Sequence, residues 1–324
     1  MVLIFEKGCI RRLVDIFRRN VHARGYKTAN GAHPHMLPLP WLKRGPVAPV
    51  LRLHGPIGLS TPLRPGLSLA SLSVSIERAF NTKGAVAVAL VINSPGGSPV
   101  QSRHIHDRIR ALAKEKGLPV YAFAEDVAAS GGYMLALAGD KIYADASSIL
   151  GSIGVLYQGF GFVGLIEKLG VERRALTAGD KKLTLDPFQP AKVEDIERLK
   201  KIQDILHKEF IALVRERRGA AIDHAGDMLF TGEFWSGRQA LDLGLIDGLA
   251  DVRSKMRELF GDKLRLKLIT TGGGLLRRRG VPGVRFGLGA GSGSGALLGA
   301  GAPGLADDVI TAIETRIMWA RFGL

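Results

Sequence analysis

From Val47 onward, short apolar runs alternate with amphipathic stretches. Val50-Leu51-Arg52-Leu53-His54-Gly55 reads as a strand ending at glycine, and Leu69 to Phe80 as a helix. Ala85 to Ile92 is almost wholly apolar and β-branched, which predicts a buried strand. Val100 to Lys116 places Val100, Ile105, Ile109 and Leu112 on one helical side. Pro119 to Ala124 predicts the next strand, Glu125 to Ala129 a loop, and Ser130 to Leu137 a helix of small residues. Short strands follow at Lys141 to Ala144 and Ile153 to Tyr157, then a helix over Phe162 to Leu169 and a strand over Val171 to Thr177. This rhythm predicts an α/β core with largely parallel strands. Residues 192–218 form a long helix whose stripe, from Val193 through Ile202 to Leu213, suits packing on the core or on another subunit. The stretch from Leu229 to Gly248 reads as a turn, a short helix and a strand, closing the domain near residue 268.

Four segments result: a basic extension over 1–46, the α/β domain over 47–268, a Gly-rich linker over 269–305, and a C-terminal amphipathic helix over 306–324. The linker is mostly Gly, Ala, Ser and Leu and buries too little surface to offset its backbone entropy. In the terminal helix Asp307 and Asp308 favour the N-terminus. Val309, Ile310, Ile313, Ile317 and Ala320 share one face, and Trp319 and Phe322 add aromatic surface. Such a helix docks on its own body, a neighbouring subunit or a membrane.

Charge changes the picture mainly at the N-terminus. The 324 residues carry a formal net charge of +15. Residues 1–46 hold nine Lys/Arg against Glu6 and Asp15, a net of +7. This fits contact with an anionic membrane surface better than nucleic acid, for which no helix-turn-helix or aromatic–basic pattern is present. Solvated charge without a partner is the plain alternative. Residues 2–21 put Ile10, Leu13, Val14 and Phe17 on one face of an interfacial helix. Met36 stands beside Met1 as a second candidate start. No run of 18 apolar residues is present, and charges at Glu6, Lys7, Arg11 and Arg12 break any signal-peptide core. The single cysteine, Cys9, excludes an internal disulfide framework. HExxH, CxxC and paired-histidine motifs are absent, so no metal or cofactor is expected. Paired carboxylates are lacking too, which weighs against glycosidase chemistry.

The candidate chemistry lies in three segments: Asn93-Ser94-Pro95-Gly96-Gly97, Ala129-Ser130-Gly131-Gly132-Tyr133, and Gly179-Asp180-Lys181-Lys182 followed by Asp186-Pro187-Phe188. They supply a serine on a strand-to-helix turn, lysines and glycine turns. A serine there is ordinarily only a helix cap. Yet the Gly131 N–H at the helix start, with the Gly96-Gly97 turn, could form an oxyanion hole. A lysine serves as base only if burial lowers its pKa. The apolar neighbours Leu183, Leu185 and Phe188 permit this, and the residues alone do not choose between Lys181 and Lys182.

These motifs, in this order and with Gly151-Ser152-Ile153-Gly154-Val155 between them, resemble the signal peptide peptidase A family, including its SohB-like members. Those are Ser–Lys serine proteases of the ClpP/crotonase superfamily, and the likeness covers roughly residues 47–260. The resemblance implies a stack of ββα units with an additional long helix. It implies Ser130 as nucleophile, Lys182 as general base, Ser152 as the residue orienting the lysine, and Gly96, Gly97 and Gly131 as oxyanion hole. It also implies a homo-oligomer, with the dyad completed by adjacent subunits, acting on unfolded or membrane-derived peptides such as signal-peptide remnants. The expected setting is cytoplasmic or peripheral to a bacterial inner membrane, although many members carry an N-terminal anchor that this chain lacks. A crotonase-type acyl-CoA enzyme and a non-catalytic, membrane-associated scaffold of the same fold are the rival readings.

Overall fold

A computed structural model describes residues 45–59, 66–179, 181–270 and 305–324. The helix expected over 2–21, the second start at Met36 and nearly all of the Gly-rich linker lie outside the described residues.

Three parallel strands form the centre: β1 (Val47–His54), β2 (Val88–Ser94) and β3 (Val120–Ala129). Every residue of β2 is buried, because both faces of the sheet are covered. The two-residue period divides the strand. Val88, Leu90 and Ile92 enter the main core, and Ala89 and Val91 enter a second one. The main core is closed by α1 (Leu69–Phe80), α2 (Pro99–Lys116), α3 (Gly131–Ala136) and the C-terminal half of α5 (Val193–Arg218). The second is closed by α7 (Val252–Phe260), whose Met256 is fully buried. Starts and stops are local. Ser68 caps α1 through a reciprocal capping box, and α2 opens on Ser98 and Pro99 and ends at Gly117 with φ 61°.

The sheet runs β6-β5-β3-β2-β1-β8, with β5 at Ile149–Gly151, β6 at Phe234–Ser236 and β8 at Arg265–Ile269. A side branch of β4 (Lys141–Ala144) and β7 (Gly248–Leu249) leaves from β3. All pairings are parallel except β5 with β6. Between β5 and α5 lies α4 (Val163–Lys168). A 3-10 segment (Gly219–Phe230) and α6 (Gly237–Asp242) follow α5, and α8 (Leu305–Ala320) ends the chain.

Three expectations need correction. Glu125 to Ala129 is strand, not loop, because β3 exchanges one neighbour for another there: Tyr121–Ala124 pair with β4 and Val127–Ala129 with β5. The strand expected at Ile153–Tyr157 lies earlier, at Ile149–Gly151. Positive φ at Gly151 and Ser152 (97° and 50°) turns the chain out of the sheet. Val171 to Thr177 forms no strand, having no neighbouring strand to pair with. The stripe on α5 is only half used: Phe210 and Leu213 are buried, whereas Val193 and Ile202 are exposed.

Tyr133 bolts α3 to the body. It is fully buried, burial pushes its phenol pKa up, and its hydroxyl donates to the Leu245 carbonyl at 2.7 Å. Tyr133→Phe leaves that carbonyl unpaired in the core. We expect a loss of about 1–3 kcal/mol, read as a lower urea midpoint with an unchanged slope. No change in midpoint would mean that water or a shift of the turn satisfies the carbonyl.

Candidate active site

β3 ends at Ala129, and the next residue, Ser130, has φ 51° and ψ −120°, a conformation that L-residues avoid. Two backbone bonds hold it there. The Ser130 N–H donates to the Gly151 carbonyl at 2.8 Å, and its carbonyl accepts the Met134 N–H at 3.0 Å. The hydroxyl makes no capping bond, so the plain helix-cap reading fails. A strained turn that frees a serine hydroxyl is the arrangement that a nucleophile needs.

The glycine turn lies directly against it. The Ile57 N–H donates to the Gly96 carbonyl and the Ser98 N–H to the Ile57 carbonyl, both at 2.8 Å. Gly97 lies between these bonds with φ 140°, where a Cβ would overlap the Ile57 carbonyl oxygen. At Gly96 a Cβ would lie 2.8 Å from the Ser130 Cβ. The Gly96 N–H is used internally, donating to Ser94 Oγ at 3.2 Å, and that hydroxyl donates to the Gly55 carbonyl. At Gly131 a Cβ would strike Ser102 Oγ and come 3.4 Å from the Gly97 nitrogen. The Gly97 and Gly131 amides are therefore close neighbours, and among the described residues neither N–H has an acceptor.

Ser130, Gly97 and Gly131 line one cavity of about 420 Å³. Its walls are mainly apolar, with Ile57, Met134, Val155, Leu206 and Phe210 contributing. Ser152 is buried just behind, next to the Gly151 carbonyl that holds Ser130. Its own N–H donates to the Glu233 carbonyl at 2.7 Å. Lys182 is elsewhere. It lies in a turn closed by its N–H on the Gly179 carbonyl, its side chain is exposed, and neither it nor Lys181 lines the cavity. One chain thus brings together the serine and the two amides, but not the lysine.

Two contributions lie outside the motifs, and one motif residue, Asn93, has a bonding role its motif did not show. Ile57 braces the glycine turn through its backbone, for which side-chain identity carries no signal. Asn93 ties β2 to β3, donating to Asp126 at 2.5 Å and accepting the Val127 N–H at 3.3 Å. Glu314, Met318 and Arg321 reach the cavity from the C-terminal end. Among the described residues no group of three or more His, Cys, Asp or Glu is placed to hold a metal ion.

Helix-backed parallel strands, with the serine turn at the end of β3, define an α/β protein. Residues 112–263 match the sequence profile of peptidase family S49. A protein of Methanocaldococcus jannaschii, MJ0651, assigned by name to the proteases, is 33% identical over 222 residues, covering 68% of this chain and 69% of that protein. The chain belongs to peptidase family S49. The "Na(+)/H(+) antiporter NhaA" of Brucella abortus is 55% identical over 277 residues, 85% of this chain. This chain spans only 37% of that protein's length. Among the described residues no helix is long and apolar enough to cross a membrane. The solved structure of the 1510-N membrane-bound stomatin-specific protease overlies 70% of this chain and 99% of its own, with a TM-score of 0.43 at 14% identity.

Proposed function

We propose that this chain is a serine endopeptidase with a Ser–Lys dyad, cutting unfolded or membrane-derived apolar peptides. Ser130 Oγ bonds to the scissile carbonyl carbon while its proton passes to a neutral lysine amine. The carbonyl oxygen gathers charge and is held by the Gly97 and Gly131 N–H groups. The C–N bond then breaks, the lysine returns the proton to the leaving amine, and water hydrolyses the acyl-enzyme. Gly96 shapes the turn. The observation that carries this reading is Ser130 itself, strained, uncapped and beside two amides without acceptors.

The base in this reading is Lys182 of a neighbouring copy, oriented by Ser152. Support comes from the segment bearing the lysine, which exposes Leu156, Phe160, Leu169 and Leu176, and from the exposed start of the α5 stripe. A second copy covering that surface would bury it and desolvate the amine, lowering its pKa. The apolar cavity walls support apolar residues next to the cut. A setting at an anionic membrane surface is supported by the net charge of +7 over residues 1–46.

The test is hydrolysis of a quenched apolar peptide library by the wild type beside Ser130→Ala and Lys182→Ala. Activity lost in both variants supports the dyad. Activity surviving in either variant removes that residue from its role. An inactive wild type that binds coenzyme A would favour the acyl-CoA reading.

A further inference from the structure

The C-terminal segment touches two places at once: the Ser130 cavity and the end of β3 on the face opposite the main core. Glu314 and Met318, one turn apart on α8, and Arg321 one turn further line the same cavity as Ser130, Gly97 and Gly131. The neighbouring positions hold the helix in place. Phe322 is 6% exposed and packs on Val127 and Ala129, the part of β3 that leads into Ser130. Its ring meets Phe234 edge-on, 5.3 Å between centroids at 71°. Trp319 packs at the same place and lies 6.0 Å from His54 at the end of β1. One edge of this segment therefore grips the strand ends that position the serine, while the adjacent edge lines the cavity that holds it.

An extended peptide passing Ser130 needs the space that this edge occupies. The grip is slight, since among the described side chains of residues 311–324 Phe322 alone is deeply buried and Ile313 remains 52% exposed. We propose that α8 is an intramolecular gate, which competes with peptide for the entrance beside Ser130 and must leave before peptide binds. The consequence for hydrolysis rests on the peptidase reading above, whereas the consequence for binding does not.

The two separate in one experiment. Binding of a fluorescein-labelled, unfolded apolar peptide is measured on full-length Ser130→Ala protein, alone and with Trp319→Ala or Phe322→Ala added. If α8 keeps most molecules closed, loosening it lowers the apparent Kd by about tenfold, because the open fraction rises. A synthetic peptide of residues 305–324 added in trans then weakens binding again. Unchanged or weaker binding in the variants overturns the gate. Phe322 lies against β3 and its loss could disturb that strand. Trp319 is half-buried at the edge, and its variant decides the question in that event. With Ser130 intact, the same substitutions raise kcat/KM by a similar factor. Tighter binding without hydrolysis would overturn the peptidase reading and leave the gate standing.

Discussion

Co-expressed Ser130→Ala and Lys182→Ala chains are expected to recover peptidase activity that neither has alone. Each variant by itself should fall by at least about a thousandfold, since nucleophile and base act as a unit. In a random mixed assembly about a quarter of the interfaces pair an intact serine with an intact lysine, so about a quarter of wild-type activity returns. The expectation follows from placement: Ser130 lines the cavity, while Lys182 is exposed and does not reach it. The readout is hydrolysis by tagged, co-purified mixed assemblies. Mixed assemblies as inactive as their parents would show that the lysine serves its own chain after a rearrangement of residues 155–192.

Gly97→Ala should be nearly as damaging for a different reason. The new Cβ meets the Ile57 backbone, so the turn has to move and take the Gly97 N–H with it. Losing one oxyanion donor costs about 10²–10³ in kcat. KM should change far less, because the amide is needed most once charge develops on the oxygen. Gly117→Ala is the control. Gly117 also has positive φ, but a Cβ there meets nothing within 4 Å, so that variant carries only backbone strain and keeps its kcat. A Gly97→Ala enzyme within about threefold of wild-type kcat would remove this amide from the chemistry.

Local signals accounted for much of the fold. Leu69–Phe80 was readable to the residue, because Ser68 caps its start and its apolar positions repeat at helical spacing. β2 was readable because a strand covered on both faces has no polar alternation. What failed depended on neighbours. Glu125 and Asp126 look like loop residues, yet the Glu125 carbonyl accepts from Ser148 and the Asp126 carboxylate from Asn93, which keeps β3 extended where it changes partners. Val171–Thr177 finds no edge to join. The same limit applies to the site. Ser130, Gly97 and Gly131 are drawn together by turns written in their own motifs. The burial that Leu183 and Phe188 were expected to provide for Lys182 is not supplied within one chain. The terminal helix was readable as amphipathic, but the edge that docks, through Trp319 and Phe322, differs from the one its pattern favours, on which Ile313 stays exposed.

The separation of Ser130, set in the rigid sheet, from Lys182, carried on an exposed segment, has a consequence for control. A catalyst whose two halves meet only between molecules is governed by crowding. At low copy number its rate per chain falls on dilution, and wherever chains are gathered onto a two-dimensional surface it rises without any change in sequence or ligand. Under the proposed dyad between copies, recruitment by the basic N-terminal stretch would then act as the switch itself, keeping the enzyme silent while dispersed and active where copies gather.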